Sequence, residues 1–178
     1  AMAIKPGHIY QFDCYSRNID FVGDIIISIV DDTGKALTNQ AELLIENKEW
    51  KQVQVTLHGA DASYGRLKIC FQGQGTIDLD VIRFYDTDCW HPDDPKWKYT
   101  RLRKDLVAAL AELKPKFIRF PGGCVTTGQR PGNEYLWKKT LGPLYERASD
   151  YNLWSEHIED GGYNQSFQVG FYEYFCLC

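Results

Sequence analysis

The sequence predicts two unlike parts, an all-β sandwich followed by helix–strand elements of the βαβ kind, and three observations carry that reading. Residues 1 to about 86 repeat with the period of strands; residues 100–115 repeat with the period of a helix; and between them lies an acidic, proline-bearing, aperiodic stretch. The expected boundaries are 1–89 for the sandwich, 90–99 for a linker and 100–178 for the second part.

In the first part Tyr10, Phe12 and Cys14 alternate with Gln11 and Asp13. Val53, Val55 and Leu57 alternate with Gln52, Gln54 and Thr56, and Leu67, Ile69 and Phe71 with Arg66, Lys68 and Cys70. Alternation of this kind buries one face of a strand and wets the other. Ile25–Val30 is apolar on both faces apart from Ser28, which suits a central strand. Turns are expected at Asp31–Lys35, His58–Asp61 and Gln72–Gly75. Asp86–Pro95 reads as the linker.

In the second part Leu102, Leu106, Leu110 and Leu113 fall on one stripe at helical spacing, and these leucines are expected in the core. Thr100 is the expected N-cap, and Pro115 cannot continue the ladder. The chain then enters Phe117-Ile118-Arg119-Phe120, expected as a buried strand running into the Pro121-Gly122-Gly123 turn and Cys124. A guanidinium and a thiol at the end of a buried strand, with glycines that admit close backbone approach, suit the floor of a polar pocket. The alternative is an ordinary strand closed by a tight turn.

Composition fits a neutral ligand. Apolar residues make up 44%, charged residues 25%, and the net charge of −4 argues against a polyanion-binding surface, so nucleic acid is not an expected partner. Aromatic residues at 14% suit sugar binding through flat ring faces, although a β-sandwich core accounts for most of them equally well. The six cysteines show no Cys-x-x-Cys spacing and the four histidines are scattered, so no metal site and no cofactor are expected. The cysteines are expected as mostly free, buried thiols. No run of about 20 apolar residues offers a membrane span.

The run Leu102–Val107, then Leu113–Phe117, then Arg119–Cys124 resembles the α-L-arabinofuranosidases of glycoside hydrolase family 51. Tyr135–Pro143, Tyr151–Trp154 and Glu173–Phe175 follow in that family's order and spacing, and residues 1–89 resemble the jelly-roll carbohydrate-binding module of the same enzymes. The resemblance implies an incomplete jelly-roll-like sandwich followed by the first βα elements of a (β/α)8 barrel. Such a barrel takes about 250 residues, so the chain is expected to be an internal part of a longer enzyme, ending inside a helix that begins near Tyr172.

As the resemblance implies, the activity is retaining release of terminal arabinofuranosyl groups from arabinoxylan- or arabinan-type hemicellulose, by two glutamates about 5–5.5 Å apart. Both belong to later barrel strands, so no catalytic residue is expected in this chain and the chain alone is expected to be inactive. Its partners would be the arabinose-containing glycan and the rest of the parent enzyme, with neither nucleic acid nor membrane. The setting would be secreted or periplasmic, with the cytoplasm as the alternative.

Arg119, Cys124 and Trp154 match substrate-binding positions of the family, and Gly122, Gly123 and Glu173 are expected to support the pocket. Each has a plainer reading: an ion pair for Arg119, a small turn residue for Cys124, a structural ring for Trp154, and a helix-start carboxylate for Glu173. Glu134 follows Asn133 as an acid/base would, but it sits in a polar loop and is not expected to be catalytic. Residues 159–170 depart from the family's glycine-rich approach to the last helix, which leaves two alternatives open: a divergent glucanase-like member, or a non-catalytic carbohydrate-binding or structural β-sandwich module.

Overall fold

A computed structural model describes residues 2–128, 131–147, 149–152, 154 and 164–178. The chain divides into two compact units, Ala1–Asp88 and Cys89–Cys178.

The first unit is built from seven strands: β1 (Met2–Ile4), β2 (Ile9–Asn18), β3 (Val22–Val30), β4 (Ala41–Glu42), β5 (Lys51–His58), β6 (Ser63–Gln74) and β7 (Ile77–Asp86). They form two antiparallel sheets, ordered β1-β6-β3-β4 and β5-β2-β7. One apolar core joins them. Phe12, Cys14 and Leu57 from the second sheet meet Ile25, Ile27 and Ile29 from the first, with Leu37 and Leu43 closing the ends. Tyr10, Phe12 and Cys14 of β2 are buried as their alternation predicts, but Asp13, expected on the wet face, is buried too in its ion pair with Arg83; Ile25–Val30 does lie in an interior strand, between β6 and β4. Ser28, buried beside the isoleucines, is the one hydroxyl in that run.

The Asp31–Lys35 turn is observed. Asp31 N donates to Lys35 O, and the Asp31 carboxylate accepts from the Thr33 hydroxyl and from the backbone N–H groups of Thr33 and Lys35. Those donors, the hydroxyl foremost, hold its carboxyl below the usual range. The turn expected at Gln72–Gly75 is displaced. Gln72, Gly73 and Gln74 instead continue β6 and pair with Asp24, Gly23 and Val22. A Cβ on Gly73 would lie 2.2 Å from the Val22 carbonyl oxygen and one on Gly23 2.2 Å from that of Gln72, so these glycines admit close backbone approach between strands and do not mark a bend.

The second unit carries η1 (Pro95–Trp97), α1 (Lys104–Leu113), α2 (Gly123–Thr127), η2 (Trp137–Thr140), η3 (Leu144–Glu146), the short pair β8 (Asp150–Tyr151) and β9 (Asn164–Gln165), and α3 (Phe171–Leu177). Within the stretch expected as linker, Asp94 caps η1 by accepting from Lys96 N, and Trp97 is buried. No helix among the described residues is long and apolar enough to cross a bilayer.

Three sequence expectations fail in this unit. Helix α1 begins after Arg103, not after Thr100, which is itself buried. The leucine stripe is not core: Leu106, Leu110 and Leu113 are 54%, 42% and 75% exposed, and the buried residue of α1 is Val107. Residues 117–120 are not a strand, and Phe117 is 80% exposed. The causes are alike. Periodicity marks an amphipathic face and a β-favouring run, but a face becomes core and a run becomes a strand only against neighbours. Among the described residues none pairs with 117–120.

The thiols also divide. Against the expectation of mostly buried thiols, only Cys14 and Cys89 are buried, Cys70 and Cys176 are half-buried, and Cys124 and Cys178 are exposed; none of the six is in a disulfide. Burial pushes the Cys14 thiol up to about 11, with the Asp13 charge adding to the shift. At pH 8 its thiolate fraction is then about one in a thousand. Cys124 and Cys178 are expected to react with Ellman's reagent in the native protein and Cys14 only after denaturation. Mass mapping of the modified thiols checks this, and native labelling of Cys14 at the rate of Cys124 would refute its burial.

Candidate functional site

The Arg119–Cys124 segment is anchored by its neighbours. The Phe120 ring stacks on Tyr174 at 3.8 Å between centroids and meets Tyr135 and Phe171 edge-on at 5.5 and 5.7 Å. Tyr135 in turn contacts Phe167, and Phe171 contacts Trp137. One aromatic cluster thus joins the segment before the turn, the loop at 135–137 and the last helix, by contacts of a kind that contribute beyond area burial alone. Burial in it pushes the phenols of Tyr135 and Tyr174 up.

After the Phe120–Pro121 bond, which is cis, Gly122 takes φ 103°, a conformation L side chains rarely adopt, and α2 starts at once. Thr126 donates to the Gly122 carbonyl through its hydroxyl at 2.7 Å and its N–H at 3.2 Å. The result is a tight strand-free corner that displays Arg119 and Cys124. Both are exposed, so Arg119 is not the buried guanidinium expected from a buried strand; without sheet neighbours its side chain stays in solvent. The Arg119 Nη2 lies 3.8 Å from where a Cβ on Gly123 would stand, which places the guanidinium beside the corner's backbone.

Glu173 is the best held of the expected residues. It is the third residue of α3, and its carboxylate reaches back to accept from Gly170 N at 2.9 Å, completing half of a capping box. Its main partner is Arg147, which sequence reasoning missed. Arg147 donates Nη1 to Glu173 Oε2 at 2.9 Å and Nη2 to Oε1 at 2.8 Å, a bidentate pair with both side chains essentially sealed from solvent. The same guanidinium donates Nε to Gly142 O and Nη1 to the carbonyls of Phe167 and Gln168. It lies 5.5 Å from the Tyr99 ring. A pair so fully hydrogen-bonded fixes the 142–147 loop, the 167–170 segment and α3 to one another. The pairing partner of Glu173 stands 26 residues away and carries no motif, so no local signal in the sequence pointed to it.

The Trp154 side chain is not enclosed, the residue being 55% exposed, and its backbone N–H donates to Asn152 Oδ1 at 2.9 Å. Glu134 accepts from Gly132 N at 2.9 Å, inside its own loop. Asn133 holds Asp150 and the Tyr151 carbonyl. Of the atypical stretch 159–170, residues 159–163 lie outside the described residues. A cavity of about 450 Å³ opens in this unit between Trp90, Trp97, Leu110, Phe117 and Cys176, and neither Arg119, Cys124 nor Trp154 lines it. Chemically, the corner offers an exposed guanidinium and thiol on a rigid aromatic base, while the buried carboxylate nearest in role is occupied by an ion pair. Among the described residues no group of three or more His, Cys, Asp or Glu side chains is placed to hold a metal ion.

Residues 109–178 match the model of the "Alpha-L-arabinofuranosidase 1 domain". The chain is 28% identical over 183 residues to an extracellular exo-α-L-arabinofuranosidase of Streptomyces chartreusis, covering 97% of the chain and 20% of that protein. It is 29% identical over 175 residues to α-L-arabinofuranosidase 1 of Arabidopsis thaliana, covering 94% and 24%. An arabinose-bound α-L-arabinofuranosidase of family 51 superposes with a TM-score of 0.77 at 22% identity, over 99% of this chain and 28% of the other, and so shares its fold. The chain thus spans about a fifth to a quarter of the curated relatives that match nearly all of it. The Arg119–Cys124 corner and the helix of Glu173 both lie inside the residues that match the arabinofuranosidase domain model, and nearly the whole chain is similar to α-L-arabinofuranosidases.

Proposed function

We propose that this chain is part of a retaining α-L-arabinofuranosidase that releases terminal arabinofuranosyl groups from arabinoxylan- and arabinan-type hemicellulose, in a secreted setting. Residues 1–89 form its carbohydrate-binding-module-like, jelly-roll-type sandwich, 90–99 the linker, and 100–178 the early portion of a barrel domain. The observation that carries the reading is the domain match over 109–178, which takes in the corner, the loop of Arg147 and α3 together.

In this reading Arg119 directs its fork of donors at sugar hydroxyls or at a catalytic carboxylate, Cys124 packs against the sugar, and Trp154 flanks it. Gly122 and Gly123 shape the corner, and Glu173 supports it through Arg147. The two catalytic carboxylates belong to the remainder of the enzyme. Two facts support that assignment. Glu173 is held by Arg147, and Glu134 is tied to the backbone of its own loop, so neither is poised to exchange a proton with a glycosidic oxygen.

The 178-residue chain is expected to show no turnover of 4-nitrophenyl α-L-arabinofuranoside. Placed in the Streptomyces relative in exchange for the matched segment, it is expected to restore arabinose release, with Arg119→Ala lowering kcat/KM about tenfold or more, as loss of charge-assisted hydrogen bonds requires. Turnover by the chain alone would overturn the assignment of the carboxylates. A folded chimera that cleaves an aryl glucoside and not the arabinofuranoside would overturn the sugar.

A further inference from the structure

From the register of the β5-β2-β7 sheet we infer a binding face for a neutral hemicellulose chain on the first unit, formed by Gln11, Tyr15, Trp50, Gln52, Gln54 and Tyr85. The inference rests on the function proposed above only for the class of glycan. The alternation of β2 sends Tyr10, Phe12, Cys14 and Ser16 into the core and puts Gln11, Tyr15 and Arg17 on the opposite face, with Asp13 on that side too but buried in its pair with Arg83. The strand register then builds rows across that face. Gln11 stands between Thr56 and Tyr85, Asp13 between Gln54 and Arg83, Tyr15 between Gln52 and Asp80, and Arg17 beside Asp78.

The face has the chemistry of a polyhydroxylated ligand. Glutamine amides and tyrosine hydroxyls both donate and accept, as sugar hydroxyls do, and aromatic rings present flat apolar area to the C–H face of a sugar. Gln11 is held in place by donating to the Val55 carbonyl at 3.1 Å. Trp50, Gln52 and Gln54 are exposed. From Gln11 to Arg17 the face runs about 20 Å at about 3.3 Å per residue, which suits an oligosaccharide and not a single sugar.

Both guanidinium groups of these rows are already matched by carboxylates. Arg83 clasps Asp13 through two bonds of 2.7 and 2.9 Å, and Arg17 holds Asp78 at 2.6 Å. Each guanidinium also lies over a ring, Arg83 over Tyr85 at 5.9 Å and Arg17 over Trp50 at 5.3 Å, so the ion pairs help to set the aromatic groups. Asp80 adds one further negative charge. Both cations of these rows being paired, the face favours a neutral glycan over a uronate-rich one.

Isothermal titration of the 178-residue chain with xylohexaose, with an arabinoxylan oligosaccharide and with an oligogalacturonate tests the inference. Binding of a neutral oligosaccharide is expected, with Trp50→Ala/Gln54→Ala weakening it at least tenfold while the far-UV circular dichroism and thermal midpoint stay put. No heat with either neutral glycan at millimolar concentration would overturn the inference. So would unchanged binding by the folded double variant, or tighter binding of the oligogalacturonate. Loss of binding in Arg119→Ala with the double variant binding normally would place the glycan at the corner, and would sink this inference while favouring the function proposed above. An inactive chimera alongside binding that depends on Trp50 and Gln54 would do the reverse.

Discussion

Replacing Arg147 by methionine is expected to destabilise the second unit by about 3–5 kcal/mol, because the Glu173 carboxylate would be left buried without its counter-charge. That is a large part of what a domain of this size has to lose. Four of the five tryptophans, Trp90, Trp97, Trp137 and Trp154, lie beyond Asp88, so urea unfolding followed by tryptophan fluorescence reports chiefly on this unit. The carbonyls of Gly142, Phe167 and Gln168 also lose their donor in this variant, which adds to the cost. The double change Arg147→Met/Glu173→Leu removes both charges and is expected to recover most of the loss, since a buried ion pair is strongly missed only when one partner remains. A single variant within 1 kcal/mol of the original chain would show that the pair is open to water. The aromatic cluster gives the effect a functional reach: Phe171 and Tyr174 of α3 carry Phe120, the residue before the corner that displays Arg119 and Cys124.

The two units differ in how much of them the sequence reveals, and the difference has a physical cause. On β2 a strand's neighbours, β5 and β7, lie in the same chain, so Tyr10, Phe12 and Cys14 are buried as their two-residue period predicts, although Asp13 between them is buried as well in its ion pair with Arg83. Periodicity was a guide there because the partner sheet was present to receive the buried face, and it failed at Phe71, which is exposed. Where glycines intervened the guide failed in a specific way: Gly23 and Gly73 permit two backbones to approach, and a local reading cannot tell that from a turn. In α1 the helical period of the leucines was correct as geometry and wrong as burial, because amphipathicity says that a face is apolar and not what covers it. The candidate site divides in the same manner. Pro121-Gly122-Gly123 is a local signal and was legible as a corner. Arg147 and Glu173 find each other across 26 residues, and no spacing rule encodes such a choice of partner.

Phe12→Ala and Leu113→Ala separate these two kinds of apolar residue by experiment. Phe12 has no exposed surface and sits where both sheets of the first unit meet. Its truncation removes the transfer energy of the ring and leaves a cavity that the neighbouring Cys14, Ile27 and Leu57 can fill only in part, so a loss of about 3–5 kcal/mol is expected. Leu113, although it belongs to the most regular apolar stripe in the chain, is 75% exposed at the last turn of α1. Its truncation removes little buried area and slightly favours the helix, so a change within about 0.5 kcal/mol is expected. Circular dichroism in urea measures both, with the sheet signal following the first variant and the helical signal the second. The contrast is decisive because a reading from pattern alone ranks the two residues as equals. A cost above about 2 kcal/mol for Leu113→Ala would show that the stripe is buried in solution, as only a covered leucine loses that much on truncation.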